Sequence, residues 1–281
     1  MLELLQTSPL VAGGYVFFIG LCVGSFLNVV IHRLPIMMKR GWEAECASLR
    51  NETLPEQTRF NLIVPRSRCP HCGHQITALE NIPVVSWVVL RGRCSSCKAP
   101  ISMRYPLVEL ATALLSLLVY LMLGPTLLTV AGLGFTWALI ALTMIDFDEQ
   151  LLPDDITLPL MWAGLVLNIQ GTFVPLQDAV IGAAAGYLSL WSIYWLFKLV
   201  TGKEGMGYGD FKLMAALGAW MGWIALPVVL LLSSVVGSII GVGYLIVRKE
   251  SAPFPFGPYI AIAGIIALLF GQDLLRWYLG T

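Results

Sequence analysis

Phe211-Lys-Leu-Met-Ala-Ala-Leu-Gly-Ala-Trp-Met-Gly-Trp223 opens a stretch of 37 residues that stays apolar as far as Val247. As one helix it would be about 55 Å long, against roughly 30 Å of bilayer hydrocarbon, so it reads as two passes. The breaks place them at 211–222 and 224–247. The first is short, rising only about 18 Å. Outward from this pair, six further apolar runs fall at 9–32, 106–123, 126–145, 156–170, 178–197 and 257–278. The expectation is an all-α polytopic membrane protein of about eight transmembrane helices.

Composition agrees. The 281 residues are 57% hydrophobic and 12% charged, with a mean hydropathy of +0.79, too apolar for an ordinary soluble domain. The net charge of zero hides an asymmetry: 11 of the 17 Lys and Arg lie between Arg33 and Arg104. Lys198, Lys203, Lys212, Arg248 and Lys249 fall beside later loops that eight spans put on the same face, and only Arg276 falls opposite. The positive-inside rule makes that face cytoplasmic and both termini external. No basic residue precedes the first apolar run, which reads as a retained span and not as a cleaved signal. Three regions follow: a first transmembrane helix (1–32), a polar cytoplasmic domain (33–104) and a transmembrane domain (105–281).

The polar segment carries Cys46 and two CxxC pairs, Cys69-Pro-His-Cys72 and Cys94-Ser-Ser-Cys97, 21 residues apart. Two such turns present four thiolates to one metal, and the pattern predicts a structural zinc site of ribbon or knuckle type. A disulfide is disfavoured on the reducing side of a membrane, and no βαβ pattern supports a thioredoxin-like reading. Four ligands leave no open position, which argues for scaffolding. His71 and His74 read as bystanders in the turn, with substitution for a thiolate the alternative. Cys22 reads as a small packing residue and His32 as an interfacial group.

Two carboxylates sit at span ends. Asp146 follows the apolar run that ends at Ile145, and Asp210 closes Gly207-Tyr208-Gly209-Asp210. One outward and one return pass separate them, so the topology brings both to one face and depth. An ionisable group at such a boundary is a functional hypothesis by default. Two close carboxylates in a poorly solvated place divide the labour of acid and base: one holds a proton and polarises a carbonyl while the other activates water. Gly207 and Gly209 allow close approach and unusual backbone dihedrals. The alternative is that Asp210 only caps its helix with Lys212 as counter-charge, as Asp154 and Asp155 would cap theirs after a turn at Pro153. Asp148 and Glu149 read as solvated loop acids. No Asp-Thr-Gly or Asp-Ser-Gly occurs, which excludes a pepsin-like frame.

Together these residues resemble the bacterial type IV prepilin peptidases, a family of GxGD membrane aspartyl proteases. The resemblance rests on Gly24-Ser-Phe-Leu-Asn-Val-Val-Ile-His-Arg-Leu-Pro35, the two CxxC pairs, Glu80-Asn-Ile-Pro83 with Ser86-Trp87, and Arg104-Tyr-Pro-Leu-Val-Glu109. It extends through Asp146 with Leu151-Leu-Pro-Asp154, the GxGD box and Pro255-Phe-Gly-Pro-Tyr259. It implies a bifunctional inner-membrane enzyme. Such an enzyme cleaves the basic leader of type IV prepilins and type II secretion pseudopilins on the cytoplasmic side, then methylates the new N-terminal amine, usually phenylalanine, from S-adenosylmethionine. The family's catalytic pair falls on Asp146 and Asp210, and its zinc-binding cysteines on Cys69, Cys72, Cys94 and Cys97. The implied partners are those precursors and membrane lipid, with no nucleic acid. No glycine-rich Rossmann signature marks the methyl donor's site, and the polar segment is too small for that fold. Arg91-Gly92-Arg93 is the candidate there, against the plain reading of a basic turn near lipid headgroups. A rival class is a proton-coupled transporter relaying protons through Asp146 and Asp210, which would place carboxylates at midplane in a duplicated topology.

Overall fold

A computed structural model describes residues 8–52, 58–248 and 255–279. Its chain divides into two compact units, residues 1–125 and 126–281. Lys249, assigned above to the basic face, lies with 250–254 outside the described residues.

In the first unit, α1 (Pro9–Leu49) starts with proline in its opening turn, where a missing N–H costs nothing. It runs 41 residues, so the boundary drawn at residue 32 falls inside a continuous helix, and Cys46 sits on that helix. Pro35 interrupts one intrahelical bond without ending it. A short 3-10 turn (Leu79–Asn81) and α2 (Val85–Val89) lead to α3 (Arg104–Leu123), which packs along α1. Backbones approach closely there. A Cβ at Gly20 would stand 2.7 Å from the Cα of Ala113, and one at Gly24 would stand 2.6 Å from the Cα of Glu109. Polar clasps surround this seam. Asn28 donates to the Tyr105 carbonyl at 3.1 Å, and buried Glu109 accepts the Val84 N–H at 2.7 Å. That second bond holds Val84 at φ +60°, a conformation β-branched residues resist. Buried Arg33 donates to the carbonyls of Asn61 and Pro65 at 2.9 and 2.6 Å, tying the returning loop to α1.

The second unit comprises α4 (Leu127–Glu149), α5 (Asp154–Asn168), α6 (Leu176–Thr201), α7 (Tyr208–Met221), a 3-10 turn (Trp223–Ala225), α8 (Leu226–Arg248) and α9 (Gly257–Leu279). The 37-residue stretch does break where its length required. Gly222, at φ +75°, ends α7 and starts the turn into α8. Among the described residues, five helical segments are long and apolar enough to cross a membrane: α1, α3, α4, α6 and Trp223–Gly243.

At 14 residues α7 rises only about 21 Å, yet it is the centre of its unit. From Asp210 to Trp220 every residue except Lys212 is buried, among α5, α6, α8 and α9. A helix apolar all round and enclosed by other helices need not match the bilayer's thickness. Its far end is pinned by polar bonds. Trp220 donates its indole N–H to the Leu160 carbonyl at 2.7 Å, filling the space that Gly164 leaves open. Buried Asn168 donates to the carbonyls of Ala219 and Trp220 and accepts the N–H groups of Phe173 and Val174. One side chain thus satisfies two carbonyls at the C-terminal end of α7 and two N–H groups of the α5–α6 loop.

Candidate active site and metal centre

Gly207 is the N-cap of α7, which places Asp210 in the first turn at the third helical position. There one carboxylate oxygen, Oδ2, accepts the Gly207 N–H at 3.2 Å. The capping role weighed above is therefore real, but it uses half the carboxylate. The other oxygen, Oδ1, is buried and has no hydrogen-bond partner among the described residues. Orphaned buried oxygens are uncommon and mark places where function outweighs stability.

Asp146 lies near the end of α4 and is 5% exposed, comparable to Asp210 at 6%. Its carboxylate receives the backbone N–H of Gly257, the first residue of α9, so it neutralises that helix's N-terminal amides from a neighbouring helix. The two aspartates are close enough for their charges to interact. The structure thus brings the two span-end carboxylates together.

Leu152, in the α4–α5 loop, packs against a glycine beside each aspartate. A Cβ at Gly209 would stand 2.8 Å from the Leu152 Cβ, and one at Gly257 would stand 3.0 Å from its Cδ1 and 2.6 Å from Oδ2 of Asp146. Glycine at 209 and 257 is therefore a matter of space. Gly207 and Gly209 do not use the left-handed dihedrals expected of them; Gly207 has φ −86° and neither is among the positive-φ residues. A Cβ at Gly207 would meet only ordinary contacts, the nearest at 3.9 Å. Leu152 and Gly257 were not singled out as site residues by the sequence reading, although both fall in stretches that carry the resemblance.

Three assignments change. Lys212 pairs with Asp154 at 2.7 Å and is not the counter-charge of Asp210. Residues two apart on a helix point about 200° apart, so Lys212 faces away from the pair. Asp154 and Asp155 do not cap α5: Pro153 occupies the N-cap, and both acids lie in the first turn, where they favour the helix dipole. Asp148 and Glu149 belong to the last turn of α4 and not to a loop.

In the first unit, Cys69, Cys72, Cys94 and Cys97 place their Sγ atoms within 4.8 Å of one another, with Cys69–Cys97 at 3.8 Å and Cys72–Cys94 at 4.0 Å. Thiolates bound tetrahedrally at about 2.3 Å from one metal ion lie about 3.8 Å apart, so the cluster fits such an ion. Each pair sits in a matching turn, 68–75 and 93–100, closed by an antiparallel bridge (Arg68 with Gln75, Arg93 with Pro100). In each turn the residue after the second cysteine is left-handed: Gly73 at φ +71° and Lys98 at φ +61°. The backbone N–H groups of Cys97 and Ser96 hold the Cys94 thiol below its ordinary pKa, at about 6, while burial and the crowding of the other three sulfurs push Cys97 up to about 11. His71 and His74 are outside the cluster of four. The His74 ring lies 3.3 Å from both the Glu80 carboxylate and the Ser95 hydroxyl, linking the two turns from outside. Glu80 accepts Thr77's N–H and hydroxyl as well, and a hydrogen bond from Ser95, followed by those from Thr77, holds its pKa down at about 2.

Gly92, at φ +65°, lies under the Trp87 ring, which a Cβ would approach to 2.8 Å; conformation and packing both require glycine there. Arg91 and Arg93 on either side are exposed.

Residues 18–123 match a family model described as bacterial peptidase A24 N-terminal domain, and residues 133–242 match one described as type IV leader peptidase family. A protein of Aeromonas salmonicida strain A449 named prepilin leader peptidase/N-methyltransferase is 61% identical over 286 residues, covering 100% of this chain and 98% of its own. Proteins of the same name from Aeromonas hydrophila and Pseudomonas aeruginosa are 62% and 57% identical, each covering 99% of this chain and 98% and 97% of their own. No solved structure gives a significant match.

Proposed function

The chain belongs to the type IV leader peptidase family, and on that premise we propose that Asp146 and Asp210 are the catalytic pair of a prepilin leader peptidase that is also an N-methyltransferase. The observation that carries the reading is the approach of two buried carboxylates from separate helices to within range of each other's charge, one of them with an oxygen left unbonded. One aspartate, ionised, takes a proton from water as its oxygen attacks the scissile carbonyl. The other, protonated, gives its proton to that carbonyl's oxygen. When the C–N bond of the tetrahedral adduct breaks, a proton passes to the departing amine and the carboxyl product keeps the water's oxygen. The Gly207 and Gly257 amides fix one oxygen of each aspartate, so neither carboxylate rotates away from the bond it cuts.

The substrates we propose are precursors of type IV pilins and of type II secretion pseudopilins. Such a precursor has an apolar helix that enters the bilayer and a basic leader that does not, and its junction lies at the depth of a carboxylate at a span's end. The bias of basic residues supports placing the aspartates and the cysteine domain at the cytoplasmic face of the inner membrane. For the metal we propose structural zinc on Cys69, Cys72, Cys94 and Cys97, since four thiolates favour it and leave no position for water. For the methyl donor we propose the Arg91-Gly92-Arg93 turn, whose exposed guanidiniums suit the carboxylate of S-adenosylmethionine. Bound there, it would supply an electrophilic methyl group to the new amine.

The test is reconstitution of the protein with a purified precursor and S-adenosylmethionine, followed by mass spectrometry of the product's N-terminus. A shortened chain carrying one added methyl group is expected; an intact leader would refute the assignment. For the metal, Cys94→Ser should lower zinc from about one ion per chain toward none, because three thiolates hold zinc far less firmly than four. Elemental analysis of the purified protein checks this, and unchanged zinc would exclude a shared four-cysteine site.

A further inference from the structure

Helices α4 and α5 are consecutive and joined by only four residues, 150–153, yet each leans mainly on another partner, α4 on α9 and α5 on α7. The gap between them is a groove with a cavity volume of about 430 Å³. Gly134 and Ala138 of α4 line one wall, Pro159 and Ala163 of α5 the other, with Trp220 between. A Cβ at Gly134 would meet no atom within 4 Å, so the space immediately beside it is open. Small residues three and four apart let another helix come close in lipid, which is what Gly134 and Ala138 offer.

One ionisable residue lines the groove, Asp155, at the end where α5 begins. Its neighbour Asp154 is held by Lys212, two residues from Asp210, so this mouth lies at the same end of the unit as the catalytic pair. Asp155 is exposed, and its carboxylate has no hydrogen bond or ion pair among the described residues. Pro159, four residues on, has no N–H, which deprives the Asp155 backbone carbonyl of its intrahelical donor. The cation at this end, Lys212, is taken by Asp154, so the free charged group at the mouth is the Asp155 carboxylate. An occupant suited to it is apolar along its length and positive, or rich in free N–H groups, at the end near the aspartates. A helix N-terminus preceded by basic residues has that character.

We propose that the α4–α5 groove seats one face of the pilin precursor's apolar helix, with Asp155 meeting the basic, N–H-rich end where the leader joins it. This rests on the peptidase reading above and adds to it a docking surface along the membrane-embedded part of the substrate. The groove accounts for recognition of a helix that is otherwise indistinguishable, to a protein surface in lipid, from the lipid itself. Association there comes from close packing and polar matching at one end, since burial from water contributes nothing.

Filling the groove separates docking from chemistry. Gly134→Trp should lower kcat/KM on the intact precursor by at least about tenfold, mostly through KM, while a short soluble peptide spanning the cleavage site is cut within about twofold of the wild-type rate. Undiminished processing of the intact precursor, or equal losses on both substrates, would overturn the proposal. A photoreactive benzoylphenylalanine at Ala163 should capture the precursor's apolar helix, and one at Ile193 on α6, exposed but outside the groove, should not. Capture of phospholipid alone at saturating precursor would show the groove to be a lipid site and sink the idea. If the wild-type protein cut neither substrate, the peptidase reading would fall, and the Ala163 crosslink would still decide whether the helix docks there.

Discussion

Asp146→Asn and Asp210→Asn each leave a folded protein that processes precursor more slowly by roughly 10³-fold or more. The amide is isosteric with the carboxylate and keeps the hydrogen bonds seen here. Its oxygen can still accept the Gly207 N–H at position 210 and the Gly257 N–H at position 146. What it cannot do is hold or release a proton, so the loss reports chemistry and not packing. Because the two groups act as one acid–base unit, the double variant should be no slower than the worse single variant. Rates of leader removal in proteoliposomes, with zinc content and elution profile as controls, check this. Losses that multiply would mean that the aspartates act independently, and normal processing by either variant would remove it from the mechanism.

How much of this was legible beforehand depends on what sets each feature. Hydropathy located all the apolar runs, and the length of Phe211–Val247 forced a break that the structure places at Gly222. Hydropathy marks where a chain leaves lipid, however, and not where its helix stops. α1 continues to Leu49 on its own backbone bonds, with the returning loop tied to it by Arg33. The aspartate pair was legible because topology alone returns residues 146 and 210 to one face. Its setting was not, since the Leu152 wedge and the Gly257 amide depend on how α4, α7 and α9 converge. The pairing of Lys212 could have been read correctly: helical geometry turns a residue at i+2 away from residue i. The cysteine spacing announced four converging thiolates, whereas the link from His74 to Glu80 and Ser95 carries no spacing rule. At Gly92 the sequence suggested a ligand site, and the structure adds that the φ of +65° and the Trp87 ring require glycine itself there, leaving contact with a ligand to the flanking arginines.

Gly186→Leu should cost roughly 3 kcal/mol or more and yield little monodisperse protein, with what remains nearly inactive. Gly182-Ala-Ala-Ala-Gly186 has the small-residue spacing of close helix contacts in lipid. α6 and α7 use it fully. A Cβ at Gly186 would stand 2.5 Å from the Met214 carbonyl oxygen, and Gly182 and Gly218 each press on the other's backbone carbonyl. Backbone is what would have to move, and α7 cannot yield, because its remaining faces are packed against α5, α8 and α9. Any shift of α7 carries Asp210 away from Asp146, so stability and activity should fall together. Gly14→Leu is the control: it is a similar change on α1, where a Cβ meets no atom within 4 Å, and should alter neither. Detergent elution profiles and precursor cleavage for both variants decide it. A well-folded, active Gly186→Leu protein would mean that α6 and α7 do not touch along this seam, and would leave the position of Asp210 without its support.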